Sequence, residues 1–323
     1  MGVGIGISRR RLLALLASGG LASARRTAFA QPATRIDRFA PELDRIVSTT
    51  EPIRELATGF GGDNGAAEGP LWWKEGGYLL FSDIHNNRRM KYVPGQGTSV
   101  FKESVNRANG LTRDPQGRLV AAEQAMRQVA RHDADGRVTI VASHYQGKRL
   151  NRPNDVIVKS DGAIYFTDPF NRPPVPPEQW EQPVAGVYRV EPDLSAVTLV
   201  VDTSDFPNGL AFSPDERVLY LADTRRGDLR AFDVLPSGLL DKRTERVFAD
   251  LKGSEPGNPD GVKVDSAGHV YCGGAGGLYI LDPTGKKLGR IVHGHPNTTN
   301  VGFGGDDWKT LYFTTRDTLG VVN

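Results

Sequence analysis

Residues 150–169 read LNRPNDVIVKSDGAIYFTDP, a polar pair that leads into two strand-like runs joined by a tight turn. Asn154 and Asp155 form the polar pair, and Asp161 and Gly162 form the turn. Asp-Gly between hydrophobic runs is a strong short-range signal for a β-hairpin. The stretch therefore predicts a hairpin with amide and carboxylate side chains at its start.

The same pattern occurs six times along the chain. A carboxylate or amide residue precedes a hairpin-like run at Glu68, Asn109, Asn154, Asn208, Asp260 and Asn300. These starts are spaced by about 40 to 55 residues, a period typical of propellers and solenoids rather than of a doubly wound sheet. Several copies continue into a third strand-like run, at residues 186–190, 229–233 and 277–281.

The repeat predicts an all-β fold, a six-bladed β-propeller of four-stranded antiparallel blades around a central channel, because radial closure protects sheet edges. Residues 45–57 are rich enough in β-branched residues to form a strand, and the chain finishes at residues 318–322 without another hairpin. We expect the N-terminal strand to complete the last blade. Residues 45–323 are therefore assigned to one propeller domain, and residues 31–44 to a polar leader.

The first thirty residues have the features of an export signal. Arg9 and Arg10 precede an apolar run at residues 12–22 that is too short to span a bilayer, and residues 28–30, AFA, match a small-x-small cleavage site. We predict a twin-arginine-type signal peptide over residues 1–30, and hence a periplasmic or secreted bacterial protein. The alternatives are a Sec signal or an ordinary basic N-terminus.

Charge and cysteine content exclude several classes of function. The chain has 40 basic and 38 acidic residues, a net charge of +2, and five of the arginines lie in the predicted signal. The remainder has no basic run interleaved with aromatic residues, so no nucleic-acid partner is predicted, and no membrane partner after signal removal. Cys272 is the one cysteine, which excludes an internal disulfide and a cysteine metal cluster, and we expect it in the core.

The six start positions predict a metal site. The innermost strands of a propeller surround its channel, so their first residues converge at one end. Buried carboxylates and amides without partners cost several kcal/mol, a cost that a bound cation would offset. Oxygen-only ligands favour a hard cation, and amides with few carboxylates favour Ca²⁺, with Mg²⁺, Mn²⁺ and Zn²⁺ as alternatives. Taken singly, each pair is also an ordinary turn dipeptide.

Three insertions and several side chains are further candidates for the site. Residues 169–185 form a Pro-rich loop unsuited to a central strand, and its Trp180 is a candidate ligand contact. Residues 253–258 and 293–298 form shorter loops. Asp168, after a predicted strand, is a candidate either for contact with substrate or for support of the residues that make that contact. Three loop histidines are candidates for proton transfer at the channel mouth, although solvent-exposed positions are more common for such residues: His144, His293 and His295.

The ordered motifs resemble the senescence marker protein/gluconolactonase/regucalcin-like family. They are Ala67-Glu68-Gly69-Pro70-Leu71-Trp72, Arg152-Pro153-Asn154-Asp155, Pro207-Asn208-Gly209-Leu210 and Pro259-Asp260-Gly261. Residues 302–312, GFGGDDWKTLY, resemble the family's bacterial gluconolactonase branch. The resemblance covers roughly residues 50–320 and implies a six-bladed propeller that holds one divalent cation, with lactonases that open sugar lactones.

The resemblance also implies roles for individual residues. Glu68, Asn154, Asn208 and Asp260 correspond to the metal ligands, and Asp260 is similar to the aspartate proposed as general base. Arg152 is similar to an arginine that contacts substrate hydroxyls. With Asn109 and Asp168, it makes up the predicted substrate-binding set. A glutamate that helps to bind sugar in the animal members has no clear match in this chain.

The predicted activity is metal-dependent hydrolysis of a sugar lactone by a protein that we expect to be a monomer. The cation polarises the carbonyl while Asp260 takes the proton from water. No Gly-x-Ser-x-Gly elbow is present, which argues against a serine esterase. Hydrolysis of another ester or of a phosphotriester requires the same groups, and a non-catalytic, metal-stabilised binding propeller is the alternative from a different class.

The export signal predicts where the mature chain begins. Cleavage after Ala30 would remove five arginines and no acidic residue, leaving 35 basic against 38 acidic residues and a net charge of −3. N-terminal sequencing of protein recovered from the periplasm or medium is expected to start at Gln31. Recovery of exported protein that retains Met1 would contradict the prediction.

Overall fold

Antiparallel strands dominate the computed structural model, which describes Met1 and residues 34–62, 65–170 and 180–323. The predicted signal peptide lies outside these residues apart from Met1. Helix in the described part of the chain is confined to two 3₁₀ turns, Pro41–Arg45 and Lys74–Gly76. No helix among those residues is long and apolar enough to cross a membrane.

Two strands precede the first repeat, and the first two blades follow them. The leading strands are β1 (Arg35–Arg38) and β2 (Arg54–Thr58). The first blade consists of β3 (Ala67–Trp73), β4 (Tyr78–Asp83), β5 (Arg88–Val93) and β6 (Gly97–Glu103). The second consists of β7 (Ala108–Arg113), β8 (Leu119–Glu123), β9 (Gln128–His132) and β10 (Val138–Ala142).

A small hairpin separates the second blade from the third. It pairs β11 (His144–Tyr145) with β12 (Lys148–Arg149). The third blade consists of β13 (Val156–Val158), β14 (Ile164–Asp168), β15 (Gly186–Val190) and β16 (Val197–Val201). The fourth consists of β17 (Pro207–Phe212), β18 (Val218–Asp223), β19 (Asp228–Val234) and β20 (Leu240–Asp250).

The last two blades recruit the leading strands, which closes the ring. The fifth blade consists of β21 (Val262–Val264), β22 (Val270–Gly274), β23 (Gly277–Leu281) and β24 (Lys287–Val292), with β1 added at its outer edge. The sixth consists of β25 (Asn300–Gly304), β26 (Thr310–Thr314) and β27 (Thr318–Val322), and β2 pairs with β27 as its fourth strand. The predicted six-bladed propeller and its closure by an N-terminal strand are confirmed, but that strand begins at Arg54 rather than at Arg45.

The segment assigned to a polar leader, residues 31–44, contributes to the fifth blade where the structure describes it. Strand β1 pairs with β24 in register from Arg35 opposite Val292 to Arg38 opposite Gly289. Ile36 and Leu43 are buried in the core between the fifth and sixth blades. Together with Ala40, these side chains bury the apolar part of the segment, although its composition is polar.

Each blade buries both faces, because side chains alternate along a strand. In β14, Ile164 and Phe166 pack with Val120 of the second blade, whereas Tyr165 packs with Leu210 of the fourth. Six such hydrophobic clusters fill the interfaces between successive blades in the described part of the chain. Cys272 lies fully buried between the fourth and fifth blades, as predicted.

Backbone hydrogen bonds between innermost strands define the register of the ring. The amide of Gly209 donates to the carbonyl of Asp260 at 3.1 Å, and the amide of Gly261 donates to the carbonyl of Thr299 at 2.8 Å. Thr299, not Asn300, is therefore equivalent to Asp260. The assignment of Asn300 to the repeated start position was wrong by one residue, because the sixth repeat has asparagine where most others have glycine.

The cores between blades predict a large difference between two phenylalanine truncations. Phe166→Ala removes a fully buried ring and is expected to lower the free energy of unfolding by about 3–5 kcal/mol. Phe101→Ala, at a residue of β6 that is 45% exposed, is expected to change it by no more than about 0.5 kcal/mol. Chemical denaturation of both variants measures the difference, and equal losses would contradict the assignment of the core.

Candidate active site

Six of the seven predicted site residues line one cavity at an end of the channel. Its volume is about 350 Å³, and its wall includes Glu68, Asn109, Arg152, Asn154, Asn208 and Asp260. The seventh, Asp168, does not line it. The convergence expected from equivalent strand starts is therefore present in the folded chain.

A larger cavity, of about 580 Å³, lies between the first and sixth blades and contains none of the predicted residues. Its wall includes Trp72, Tyr92 and Tyr312, whose rings contribute mainly to packing between the blades. Volume alone would favour this cavity. The smaller cavity is the candidate active site because it collects buried titratable groups and convergent amides.

Glycines after the start residues allow the inner strands to approach closely. A Cβ atom at Gly209 would lie 2.3 Å from the carbonyl oxygen of Asp260, and one at Gly261 would lie 2.1 Å from Cγ of Asn300. Real side chains do not tolerate such distances, so these positions require glycine. The close approach brings Asn208 and Asp260 of adjacent blades to the same small cavity.

Three carboxyl groups interact electrostatically around the channel. Burial and the charge of Asp155 raise the pKa of Glu68 to about 8. Burial, followed by repulsion from Glu68 and Asp155, raises the pKa of Asp260 well above its ordinary value. Among the described residues none of the three forms an ion pair. Nearby Lys263, whose Nζ donates to the carbonyl of Val262 at 3.1 Å, lowers the pKa of Glu68 and of Asp155, but burial outweighs this effect.

Asp155 was not among the predicted site residues. One of its carboxylate oxygens accepts the amide of Val156 at 2.9 Å, and the other is buried without a hydrogen-bond partner in the described residues. The sequence contains a signal that would identify it. Asp155 replaces the glycine that follows the start residue in four other repeats, and Asn300 replaces the same glycine in the sixth.

The donor set fits a divalent cation. Glu68 and Asp260 supply carboxylates and Asn154 and Asn208 supply amides, an oxygen-only set of the kind that hard cations prefer. Asn208 directs its Nδ2 to Oγ1 of Thr224 at 2.9 Å, which leaves its Oδ1 for another partner. No cluster of three or more His, Cys, Asp or Glu arranged for a metal occurs in the described ranges. Of the four predicted metal ligands, only Glu68 and Asp260 belong to these residue types.

Asp168 positions the backbone rather than lining the cavity. Its two carboxylate oxygens accept the amides of Asn151 at 2.7 Å and Arg152 at 2.6 Å, and burial raises the pKa of Asp168 to about 7. Asp83 and Asp223, at the ends of β4 and β18, likewise accept backbone amides from the segments that lead into β3 and β17. Asp168 belongs to this repeated set of buried acids.

Arg152 and Asn109 lie in the cavity with different surroundings. Arg152 donates from Nε to Oε1 of Gln124 at 2.7 Å, and burial lowers the pKa of its guanidinium. Oδ1 of Asn109 is buried without a hydrogen-bond partner in the part of the chain that the structure describes. A buried amide oxygen without a partner is costly, so this atom is available to a bound donor.

His85 is the histidine that lines the cavity, and it was not among the predicted site residues. Burial and the charges of Arg152, Arg107 and Arg316 lower the pKa of His85, so that its imidazole is neutral at pH 7. Its position after β4 follows no motif of the repeat. The three histidines that were selected do not line the cavity. His293 is buried, and burial lowers its pKa to about 3.

The Pro-rich loop reaches the cavity through one described residue. Phe170 lines the wall, and Trp180 stacks on Phe170 with ring centroids 4.7 Å apart. Trp180 itself is not part of the wall. The intervening residues 171–179 of the predicted loop lie outside the described residues.

A six-bladed propeller with a buried, oxygen-rich cavity at one end of its channel is the class of protein defined by this fold and site. The chain belongs to the SMP-30/Gluconolactonase/LRE-like family, whose region matches residues 66–317. A gluconolactonase of Zymomonas mobilis is 31% identical over 309 residues, covering 87% of this chain and 83% of that protein. A pentonolactonase of Haloferax volcanii is 30% identical over 259 residues, covering 77% and 80%.

A solved structure shares both the fold and sequence similarity. A gluconolactonase from Xanthomonas campestris superposes with a TM-score of 0.77 at 32% identity, covering 89% of this chain and 94% of that one. The predicted family is therefore confirmed.

The buried carboxyl groups predict a pH-dependent stability in protein stripped of cations. Because the pKa of Glu68 is about 8 when folded and 4.5 in its ordinary range, protonation stabilises the folded state. This contribution is complete below pH 4.5 and is lost as pH rises through about 8. Chelator-treated wild type is expected to lose more unfolding free energy than Glu68→Gln as the pH is raised through that range.

Denaturant titrations at several pH values measure this difference. Glu103→Gln, on the exposed outer strand of the first blade, is the matched control and is expected to follow wild type. Parallel curves for wild type and Glu68→Gln would contradict the assigned repulsion.

Proposed function

We propose that the protein is a hydrolase that opens sugar lactones to hydroxy acids at the cavity of Glu68 and Asp260. Relatives named gluconolactonase and pentonolactonase align with more than three quarters of the chain. The observation that carries the proposal is the cluster of buried carboxylates and amides in a cavity large enough for a monosaccharide. This arrangement supports a metal-assisted hydrolase better than a purely structural propeller.

The residues proposed to hold one divalent cation are Glu68, Asn154, Asn208 and Asp260. When bound, a divalent cation supplies Lewis-acid polarisation of the lactone carbonyl. Calcium is the preferred candidate, because two carboxylates and neutral amide oxygens suit a large oxygen-seeking ion. Positive charge at this position would also return the two carboxyl groups to their ionised forms.

Asp260 is proposed as the general base. Its carboxylate lies at the cavity wall and would accept a proton from the water that attacks the carbonyl carbon. A carbon–oxygen bond forms to that water, the ring carbon–oxygen bond breaks, and a proton passes to the departing ring oxygen. The product carries one carboxylate and one new hydroxyl group.

Arg152 and Asn109 are proposed to orient the sugar ring. The guanidinium of Arg152 offers donors to substrate hydroxyls, and Oδ1 of Asn109 offers an acceptor. Asp168 holds the backbone of Arg152 from outside the cavity. Its effect on turnover is therefore through the position of Arg152, because Asp168 is not on the cavity wall.

Metal removal tests the proposed chemistry. Hydrolysis of D-glucono-1,5-lactone, followed as acid release, is expected to stop after chelation and to return when one of Ca²⁺, Mg²⁺, Mn²⁺ or Zn²⁺ is restored. Full turnover in protein shown to be free of metal would contradict the role of the cation. No turnover with any of the four ions, in folded protein with metal bound, would contradict lactone hydrolysis.

The base assignment has its own test. Asp260→Asn keeps the size and one oxygen of the side chain, and is expected to lower kcat by roughly 10²–10⁴-fold, the usual contribution of a general base. Asp135→Asn, at an exposed turn, is the control. Measuring the metal content and thermal unfolding of Asp260→Asn distinguishes loss of the general base from loss of metal binding or of the fold. Wild-type kcat in a folded, metal-loaded variant would exclude Asp260 as base.

A further inference from the structure

The mouth of the cavity carries a cluster of positive charge, defined by Arg107, Arg152 and Arg316 around His85. Arg152, Arg316 and His85 line the cavity wall. Arg107 lies beside the wall, where its carbonyl accepts the amide of the wall residue Gln124 at 3.4 Å, and its charge lowers the pKa of both His85 and Arg152. Three guanidinium groups and the neutral imidazole of His85, from different segments, therefore surround one opening.

Two of these arginines have no acidic partner within the described residues. Many other arginines of the propeller form ion pairs, such as Arg88 with Asp83 at 2.7 Å. Arg107 and Arg316 are exposed, and neither side chain lies within 4.0 Å of a carboxylate in the described ranges. Asp317 follows Arg316 but accepts a hydrogen bond from Thr318 at 3.1 Å.

Among the acids that the structure describes near the mouth, Asp83 is engaged elsewhere. Asp83 is fully buried and accepts the amide of Gly61, the amide group of Asn86 and the guanidinium of Arg88. The two carboxylates proposed as ligands, Glu68 and Asp260, match the charge of one divalent cation, and Lys263 is the positive charge that acts on Asp155, so the deep acids do not neutralise the mouth when that cation is bound. Positive charge therefore remains at the opening, where it attracts anions.

A neutral sugar lactone offers no counter-charge to this cluster. Like charges held together are unfavourable, and such arrangements are common where a ligand of opposite charge binds. The new carboxylate of the product forms at the ester carbon, beside the deep carboxylates rather than at the mouth. An anionic group on the part of the substrate remote from the ester would contact the arginines directly, since guanidinium groups bind carboxylate and phosphate well.

We propose that the preferred substrate is an acidic sugar lactone, with a carboxylate or phosphate remote from the ester that Arg107 and Arg316 bind. This inference rests on the proposed lactone hydrolysis and adds the substrate class. Arg152 acts on the ring hydroxyls, and the two exposed arginines select the charged end. The two residues are thus specificity determinants rather than catalytic residues.

Three lactones that differ at one position test the inference in the metal-loaded protein. D-Glucono-1,5-lactone is neutral, D-glucaro-1,5-lactone carries a carboxylate at carbon six, and 6-phospho-D-glucono-1,5-lactone carries a phosphate there. At least one acidic lactone is expected to have a kcat/KM about tenfold above that of the neutral one. The preference should shrink with added salt, because exposed charges are screened beyond about 10 Å at 0.1 M ionic strength.

Removing the charge of Arg107 or Arg316 tests whether these residues cause the preference for acidic lactones. Arg316→Gln and Arg107→Gln are each expected to reduce the ratio of kcat/KM for the better acidic lactone over the neutral lactone by about fivefold or more. Arg217→Gln, at a residue whose side chain is 84% exposed on a turn between β17 and β18, is the matched control and should leave the ratio unchanged. The acidic lactone whose kcat/KM falls more in the two arginine variants shows whether the arginines recognise a carboxylate or a phosphate.

The outcomes separate this inference from the proposed function. Hydrolysis of the neutral lactone with equal or lower kcat/KM for both acidic lactones would overturn the inference and leave lactone hydrolysis in place. An acidic preference that persists in both arginine variants would also overturn it. Failure to hydrolyse any of the three lactones would overturn the proposed function, and the inference with it.

Discussion

Repulsion among buried carboxyl groups is the constraint on which the site depends. Glu68, Asp155 and Asp260 come from the first, third and fifth repeats, and no ion pair compensates them in the described residues. Burial and mutual charge raise the pKa of Glu68 to about 8. A chain that folds with such a cluster gives up stability locally, which a divalent cation would restore. The oxygen donors around the cluster are of the kind that such a cation prefers.

The propeller holds this unfavourable cluster together through favourable packing elsewhere. Hydrophobic clusters fill the interfaces between blades, and β2 ties the beginning of the described fold to its last strand. Closer to the site, Asp83, Asp168 and Asp223 accept backbone amides and thereby position the segments that lead into the inner strands. Packing between the blades thus stabilises the fold around the cavity. The acids Asp83, Asp168 and Asp223 position the backbone next to it.

Much of the site could be predicted because the repeat places equivalent residues at equivalent strand starts. Glu68, Asn154 and Asp260 were found in this way and lie on one cavity wall. The positions of the other residues depend on details that the period alone does not contain. Asn300 required the hydrogen-bond register of the inner strands, and Asp168 required knowledge of which direction its carboxylate faces. His85 follows no motif, so only its location in the folded chain identifies it.

The sequence by itself determined the number of blades, the antiparallel hairpins and the oxygen-rich character of the site, because a local period of polar starts and alternating hydrophobic residues encodes them. The tertiary structure decided which charges meet. Asp155 joins Glu68 and Asp260, and Arg107 joins Arg316 at the mouth, although these residues are far apart in the chain. Electrostatic interactions depend on distance in space, which closure of the ring sets and local sequence does not.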